Sequence, residues 1–414
     1  MVRKPRSVYV AFEAFPRLKG ASAHIASMVR ALAEDFSPVL LVCLGYGDMP
    51  AYQDLGDVQI RRFMAGHPNM LRRAVAFGRF VHDTVAPVAG GLELAVFRDP
   101  WSGLPLLEME PGVALVFEAN ALPSWELGST YPRFGRRVAL QAKIRDGERR
   151  CLRGVERVLV VSGVTAKALR ALEPRCAPIA VIPNSADPVF EAAAGGGGAV
   201  PESGAGATFG YVGSLHPWQG VERAVDAFSL IARGVDARMV IVTAGRGPAW
   251  KALRRRIRKK RLTEVVDLIP GLPPERLAPL VRTCAFTVAP LQETSRNVVQ
   301  GCCPVKIVES MAAGVPVIAT DLAVTREMIS SGRDGLLVDP SGVRPLAEAM
   351  LRLLNDRRLC TRLGRNARET ARVRFSREVV HERLRGVFWD AVRAGRVGGP
   401  VPVAMPWFEC QADG

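Results

Sequence analysis

A run of small residues near the middle of the chain divides it into two halves of similar construction. Residues 192–207 are almost entirely Ala, Gly, Ser and Pro, and they include four consecutive glycines, Gly195 to Gly198. Such a segment has too little apolar bulk to pack and is typical of a flexible linker. On each side of it, short apolar runs alternate with amphipathic stretches, which predicts alternating strands and helices. The chain is therefore expected to form two successive doubly wound α/β domains.

The predicted domain boundaries follow this alternation. The first domain is expected over 1–190, the linker over 191–207 and the second domain over 208–375. A terminal helix is predicted over 376–396, with packing against the first domain as one option, and a flexible tail over 397–414. In the first half, the predicted strands are Ser7–Phe12, Val39–Leu44, Leu92–Phe97, Ala114–Phe117, Val158–Val161 and Ile179–Ile182, and one long helix is predicted over Tyr131–Gly154. In the second half, they are Ala207–Val212, Ala237–Thr243, Val265–Ile269, Phe286–Ala289, Val315–Ala319 and Leu336–Val338.

Composition narrows the class of protein. The 414 residues are 48% hydrophobic and 23% charged, as in ordinary globular proteins. No window approaches the ~20 apolar residues of a membrane span, so a cytoplasmic protein is expected. The eight cysteines include no CxxC pair, and no cluster of carboxylates and histidines has a metal-ligand spacing. We therefore expect no metal and no cofactor.

The formal charge of +16 is spread over both halves rather than concentrated in a tail, which argues against a nucleic-acid partner. The densest basic run is Lys251–Arg261. Trp250, Leu253 and Ile257 lie at helical spacing there, which favours a helix docked on a sheet with its basic face in solvent over a binding patch. Another basic amphipathic stretch, Asn69–His82, is either a core-docked helix or a peripheral contact with an anionic membrane at its inner face.

The segment Cys302–Asp321, with the sequence CCPVKIVESMAAGVPVIATD, combines a helix start with a cation and a carboxylate. Pro304 suits the first turn of a helix, and Gly314 suits the left-handed residue that ends one. Lys306 and Glu309 are three residues apart and therefore share a face near the positive end of that helix. This arrangement suits a phosphorylated sugar.

Polar residues at the ends of predicted strands in the first half are further candidates. Arg98 and Asp99 follow one strand, with a local ion pair as the alternative explanation, and Glu118 and Asn120 follow the next. Ligands of parallel α/β sheets bind beyond the carboxyl ends of strands, so these side chains are better candidates than other surface charges.

The loop before the first helix contains Gly20 and Ala21, whose small size lets a ligand approach backbone amides at a helix start. It lacks the GxGxxG spacing, so a dinucleotide site is not supported. His24 follows one turn later, where it is either a partly buried structural residue or a substrate contact.

The second half resembles the donor-binding domain of family 4 glycosyltransferases, which are retaining enzymes of the GT-B fold. The resemblance depends on GYVGSLHPWQGVERAVDAF, TAGRGP, LIPGLPPERLAPLV, PVKIVESMAAGVPVIATD and EMISSGRDGLLVDP, which occur in the family's order. The first half is similar through KGASAHIASMVRALA, FRDPWSGLPLL, FEANALPSWELGSTYP and ERRCLRGVERVLVVSGVT. This resemblance implies two Rossmann-like domains that face each other across a cleft.

It also implies roles for the helix-start segment. The second domain would bind a nucleotide-diphosphate-sugar, with Lys306 contacting the diphosphate as a catalytic cation and Glu309 holding the ribose hydroxyls. The start of the helix, at Cys303, Pro304 and Val305, would belong to the same donor site.

Other donor-binding positions follow from the same resemblance. Gly213 and Ser214 are similar to the loop that passes the phosphates, and Gly271 and Leu272 belong to the segment that frames the nucleobase. The first domain would bind the acceptor, a glycan or a lipid-linked sugar, on its candidate residues Gly20, Ala21, His24, Arg98 and Asn120. Glu118 is the candidate catalytic residue on that side, where many relatives have a histidine.

Three departures from the family pattern affect the donor site. The family commonly has an acidic residue eight positions before Glu309, and Gly301 stands there. It commonly has an Arg and a Lys in the first loop of the second domain, where this chain has Ser214 or Leu215 and then Gln219. We expect Lys306 and, secondarily, Arg246 to take over the contacts to the diphosphate.

The function expected from these features is the retaining transfer of a sugar to an acceptor hydroxyl in glycan, polysaccharide or glycolipid synthesis. Two alternatives remain. One is a non-catalytic GT-B protein that binds a nucleotide sugar or serves as a scaffold, and the other is a nucleotide-sugar epimerase.

Overall fold

A computed structural model describes residues 3–17, 20–64, 66, 69–109, 112–131, 136–191, 206–243, 245 and 247–395. The chain divides into two compact units. Unit 1 comprises residues 1–160, 166–182 and 381–414, and unit 2 comprises residues 161–165 and 183–380. Predicted elements in the remaining residues, including the tail from 396 onward and most of the predicted linker, lie outside the described residues.

Unit 1 is built on an eight-stranded sheet in the order β3-β4-β2-β1-β5-β6-β7-β8, in which only β3 is antiparallel to its neighbour. Its strands are β1 (Ser7–Ala14), β2 (Val39–Leu44), β3 (Tyr52–Asp54), β4 (Val58–Phe63), β5 (Leu94–Phe97), β6 (Ala114–Glu118), β7 (Arg157–Val160) and β8 (Ile179–Val181). The helices between them are α1 (Gly20–Phe36), α2 (Met70–Val85), α3 (Pro100–Leu107), α4 (Pro123–Thr130), α5 (Val138–Arg153) and α6 (Gly163–Leu172).

Unit 2 is built on a six-stranded parallel sheet in the order β11-β10-β9-β12-β13-β14. Its strands are β9 (Ala207–Val212), β10 (Ala237–Thr243), β11 (Val266–Pro270), β12 (Thr287–Ala289), β13 (Val317–Thr320) and β14 (Gly335–Val338). Its helices are α7 (Pro188–Glu191), α8 (Val221–Ile231), α9 (Pro248–Lys259), α10 (Pro274–Arg282), α11 (Val305–Ala312), α12 (Ala323–Arg326), α13 (Arg344–Asn355) and α14 (Arg357–Arg374), followed by α15 (Arg377–Gly395). The doubly wound α/β architecture predicted for each half is confirmed.

Two parts of unit 1 differ from the prediction. The strands β3 and β4 were not predicted, because β4 carries two arginines in six residues and its apolar alternation is weak. The helix predicted over Tyr131–Gly154 is observed from Val138 to Arg153, as α5. Tyr131 is the C-cap of α4 and Arg137 is the N-cap of α5, so neither is helical, and residues 132–135 lie outside the described residues.

The division between the units also differs from the predicted boundary at residue 190. The chain passes into unit 2 at Pro183, so that α7 belongs to unit 2, where it packs on α10 and α11. The part of α15 from His381 onward belongs to unit 1 and lies against α1. There, Trp389 Nε1 donates to Asp35 at 2.9 Å, and Arg385 forms an ion pair with the same carboxylate at 2.7 Å.

The helix α2 packs its apolar face into unit 1. Phe77 and Val81 have no exposed surface, and Phe77 contacts Phe12 and Phe63 at ring-centroid distances of 5.3 Å and 6.0 Å. The apolar residues of α2 therefore belong to the core of unit 1, which agrees with the core-docked helix given as one alternative for Asn69–His82. None of the helices in the described part of the chain has the length and apolarity needed to cross a bilayer.

Candidate functional site

The helix α11 begins and ends where the sequence predicts. Pro304 is its N-cap, with a φ of −65° that suits a helix entry. Gly314 follows the C-cap with a φ of +75°, a left-handed conformation that glycine adopts without steric cost. The buried residues Ile307, Val308 and Met311 hold the helix on the sheet of unit 2. Lys306 and Glu309 consequently have fixed positions on its first two turns.

The ammonium group of Lys306 is buried and has no hydrogen-bond partner among the described residues. Its Nζ lies 4.3 Å from the centre of the Tyr211 ring, within the range of a cation–π contact. It also lies beside the loop after β9, because a Cβ built on Gly213 would be only 2.8 Å from it. Glycine at 213, with a φ of +148°, thus leaves room for this ammonium.

Burial shifts the pKa values of both charged groups on α11 toward their neutral forms. It lowers the pKa of Lys306 to about 7. It raises the pKa of Glu309 to about 8, with a smaller contribution from the negative charge of Asp187. No ion pair joins Lys306 to Glu309 in the described structure. A lysine and a glutamic acid that are desolvated and have no ion-pair partner among the described residues are candidates for contact with a ligand.

The other predicted donor-binding residues take several positions in unit 2. Ser214 accepts a hydrogen bond from Tyr211 Oη through its backbone oxygen at 2.8 Å. The Oε1 atom of Gln219 is buried without a partner among the described residues. Gly271 is exposed after β11, whereas Leu272 packs against the core. Arg246 lies outside the described residues.

Cys303 has a structural position. Its side chain is buried, its Sγ is 3.4 Å from the backbone N of Asn184, and its carbonyl oxygen accepts from Asn184 Nδ2 at 2.7 Å. Its thiol therefore faces the protein, and only the backbone of the helix start at Cys303, Pro304 and Val305 remains for a donor.

The structure explains the glycine at position 301. Gly301 has a φ of +80°, and a Cβ there would lie 2.5 Å from both Ser162 Oγ and Thr165 Oγ1. Because such distances are far below contact, this backbone does not admit the acidic side chain that the family commonly has.

In unit 1, the structure brings three of the predicted residues together around a fourth, Glu118, and adds Tyr9, which the sequence analysis did not identify. The carboxylate of Glu118 is 2.7 Å from His24 Nε2 and 3.4 Å from Arg98 Nε. It also accepts from Tyr9 Oη at 2.5 Å and from Asn120 Nδ2. The contact with His24 is a close ion-pair distance without the alignment of a hydrogen bond.

Glu118, which the sequence analysis predicts to be catalytic, is nearly closed to solvent in this cluster. Only 3% of its side chain is exposed, and burial alone would raise its pKa, but His24 and Arg98 outweigh burial and lower the pKa. Such a carboxylate is a poor base. His24 and Arg98 each keep 18% exposure and are the groups that a ligand can reach.

The remaining acceptor-side residues form the start of α1, whose first residue is Gly20. Arg98 Nη1 lies 3.4 Å from the carbonyl oxygen of Ala21 and so ties that turn to the Glu118 cluster. Arg98 and Asp99 do not form the local ion pair that was the alternative explanation for these two residues. Asp99 caps α3 by accepting from the backbone N of Ser102 at 2.9 Å.

Sequence reasoning missed two tyrosines that complete these clusters. Tyr9 lies on β1 under Glu118, and Tyr211 lies on β9 under Lys306. Both are fully buried in central strands. A tyrosine within an otherwise apolar central strand is the available signal, because its hydroxyl must find a partner there.

The comparisons with known proteins agree with this architecture. Residues 19–185 match the family described as glycosyl transferase 4-like domain, and residues 206–356 match glycosyl transferases group 1. Sucrose-phosphate synthase from Thermosynechococcus elongatus superposes with a TM-score of 0.77 at 18% identity, over 94% of this chain and 100% of that one. HepE from Anabaena, solved with UDP-glucose, superposes with a TM-score of 0.70 at 15% identity, over 92% and 98%.

Among curated relatives, the α-D-kanosaminyltransferase of Streptomyces kanamyceticus is 28% identical over 179 residues, which are 43% of this chain and 44% of that protein. The chain thus matches less than half the length of this relative. The two family matches together cover most of the chain and both doubly wound units. The chain belongs to the family 4 type of GT-B glycosyltransferases.

Proposed function

We propose that this protein transfers a sugar from a nucleotide-diphosphate-sugar to an acceptor hydroxyl in glycan, polysaccharide or glycolipid synthesis. The observation that carries the proposal is the buried, unpartnered ammonium of Lys306 beside Gly213. A diphosphate would supply the anionic partner that the described protein does not. HepE, which shares the fold, has been solved with UDP-glucose.

In the proposed mechanism, unit 2 binds the donor and stabilises its departing diphosphate. Lys306 and the backbone amides in the first turn of α11 face the developing negative charge, and they are fixed before the reaction begins. Glu309 accepts from the ribose hydroxyls. Because Lys306 is desolvated, its attraction to the diphosphate is larger than that of a surface lysine.

Unit 1 supplies the acceptor side in this proposal. His24 and Arg98, held by Glu118, contact the acceptor, and the loop at Gly20 and Ala21 borders it. One relative, from Bacillus anthracis, is named N-acetyl-α-D-glucosaminyl L-malate synthase, so small hydroxy acids belong in the acceptor panel beside glycans and lipid-linked sugars.

We further propose that the anomeric configuration is retained and that the sugar is a hexose. Retention is supported by the family 4 motifs. The bond from the sugar to the diphosphate would break to give an oxocarbenium-like sugar. The acceptor hydroxyl would attack on the face that the diphosphate leaves and pass its proton to the departing diphosphate, without a protein nucleophile. Metal independence is also proposed, and the described residues contain no cluster of three metal-ligating side chains.

The test is to incubate the purified protein with UDP- and GDP-sugars, with and without EDTA, and to measure release of the nucleotide. We expect release from at least one donor, unaffected by EDTA, and a product of retained configuration by NMR. Binding without turnover for every acceptor tried would instead support the scaffold alternative. Interconversion of donors in the absence of an acceptor would support the epimerase.

A further inference from the structure

A groove with a cationic rim lies in unit 2 between α9 and β11, and the proposed reaction does not use it. Its volume is about 910 Å³. Because β11 is the edge strand of its sheet, no other described strand covers this side. Its rim carries the basic side chains Lys251, Arg254, Arg255 and Arg258. Four cations around one groove predict an anionic ligand.

The rim cations have no acidic partners among the described residues. Two other cations of this run, Arg256 and Lys260, do have one, because both pair with Asp226 on α8. The cations of this run that face α8 are therefore paired with an acidic residue, whereas the rim cations on the outward face of α9 are not. At 100° per residue, the four rim cations Lys251, Arg254, Arg255 and Arg258 cover an outward arc of about 100°. Such an arc presents charge to a surface rather than to a single ion.

The part of the groove between its cations, here called its floor, is mainly apolar. It is formed by Ile257, Val266 and Leu268 together with Thr263, and Trp250 also lines the groove. The sequence predicts that Trp250 docks in the core with Leu253 and Ile257. The two aliphatic residues are indeed buried, at 1% and 5% exposure, whereas Trp250 is only partly buried. A tryptophan beside cations is typical of protein surfaces that meet the membrane–water interface.

We propose that this groove binds anionic phospholipid and holds unit 2 on an anionic membrane surface. The headgroup phosphates contact the rim, where Arg254 and Arg258 are one turn apart, and the glycerol and upper acyl region covers the apolar floor beside Trp250. This places the membrane contact on α9 rather than on α2, whose apolar face is buried. The inference goes beyond the transfer reaction and does not depend on it.

A phospholipid matches both parts of the groove, because its phosphate pairs with the cationic rim and its apolar portion covers the apolar floor. An RNA strand or a soluble acidic polysaccharide would satisfy the cations but would leave the apolar floor in water. A neutral apolar peptide would cover the floor but would leave four cations unpaired. Each basic residue near an anionic leaflet strengthens binding by about fivefold, so the four rim residues are sufficient for measurable association.

The experiment is flotation of the full chain with vesicles of phosphatidylcholine, with or without phosphatidylglycerol. We expect association only when phosphatidylglycerol is present, and its loss at high salt. The double variant Arg254→Gln/Arg258→Gln should reduce the partition coefficient by about 30-fold. A matched control is Arg358→Gln/Arg362→Gln, which removes two exposed arginines at the same spacing on α14 and should leave binding unchanged.

A second readout locates the contact. Phospholipids brominated on their acyl chains should quench the fluorescence of the wild-type protein more than that of Trp250→Phe, and urea unfolding should show that each variant folds. Equal binding to both vesicle types, equal losses in the groove and control variants, or quenching that does not depend on Trp250 would overturn the proposal. So would RNA or heparin binding through Arg254 and Arg258 without vesicle binding.

Discussion

Replacing Lys306 with alanine will lower the rate of nucleotide release from the preferred donor by about 10²–10³-fold, the range seen when a preorganised group that stabilises a developing anion is removed. The reason is that the Lys306 ammonium is buried beside Gly213 and makes no hydrogen bond to any described residue. The measurement is kcat with saturating donor. Lys167→Ala, which removes an exposed lysine of unit 1, is the control and should retain full activity.

The pH dependence of binding gives a second readout of the same residue. The pKa of Lys306 is about 7 without ligand, and a bound diphosphate would raise it, so binding above pH 7 requires uptake of a proton. Affinity should then fall with rising pH, by up to about tenfold per pH unit. The Lys306→Arg variant keeps its positive charge at every pH tested, so its affinity should not show this fall with rising pH. Glu309 makes the affinity change with pH in the opposite direction, but it does so equally in the wild type and in Lys306→Arg. The difference between the two pH profiles therefore reports on Lys306 alone. Identical pH profiles would contradict the assignment.

Replacing Glu118 with alanine will destabilise unit 1 by about 3–5 kcal/mol, because it removes one partner of a buried charge cluster. Arg98 and His24 would lose their carboxylate, and Tyr9 its hydrogen-bond acceptor. The measurement is the free energy of unfolding in urea. Asp48→Ala, at an exposed carboxylate of the same unit, should change it by less than about 0.5 kcal/mol.

The pH dependence of this loss has a definite sign. Since the pKa of Glu118 is lowered in the folded protein, its stabilising contribution is present above the unfolded pKa of about 4.3. It disappears as the pH falls through the lowered folded pKa. The difference between wild type and Glu118→Ala should therefore be largest above about pH 5 and shrink in acid. A difference that is constant or grows in acid would rule out the charged cluster.

Much of the fold could be predicted because its signals are local. Apolar runs mark the buried parallel strands, and β9 and β10 begin and end at the predicted residues. Pro304 and Gly314 likewise define α11, since each restricts or frees the backbone at one end. The strand β4 was missed because its arginines hide the alternation. Arg62 is buried because its guanidinium donates to the backbone oxygens of Phe15 and Pro50 and to the side chain of Gln53.

The candidate site was predictable in its residue types but not in its contacts. The positions of Arg98, Glu118 and Asn120 at strand ends placed them near one another, because parallel strands share one carboxyl edge. Which of them is exposed depends on tertiary packing. Glu118 is covered by His24 and Arg98, and no sequence pattern shows which of the three is buried and which are exposed. The groove beside Trp250 is equally invisible in the sequence, where helical spacing alone suggests a docked tryptophan.

The most direct test of the donor site is a crystal structure of the protein with UDP or GDP, whichever it binds more tightly. We predict a diphosphate oxygen within about 2.7–3.2 Å of Lys306 Nζ, the ribose hydroxyls on Glu309, and the phosphates passing Gly213. A nucleotide bound elsewhere, or one whose phosphates do not contact Lys306, would contradict the account.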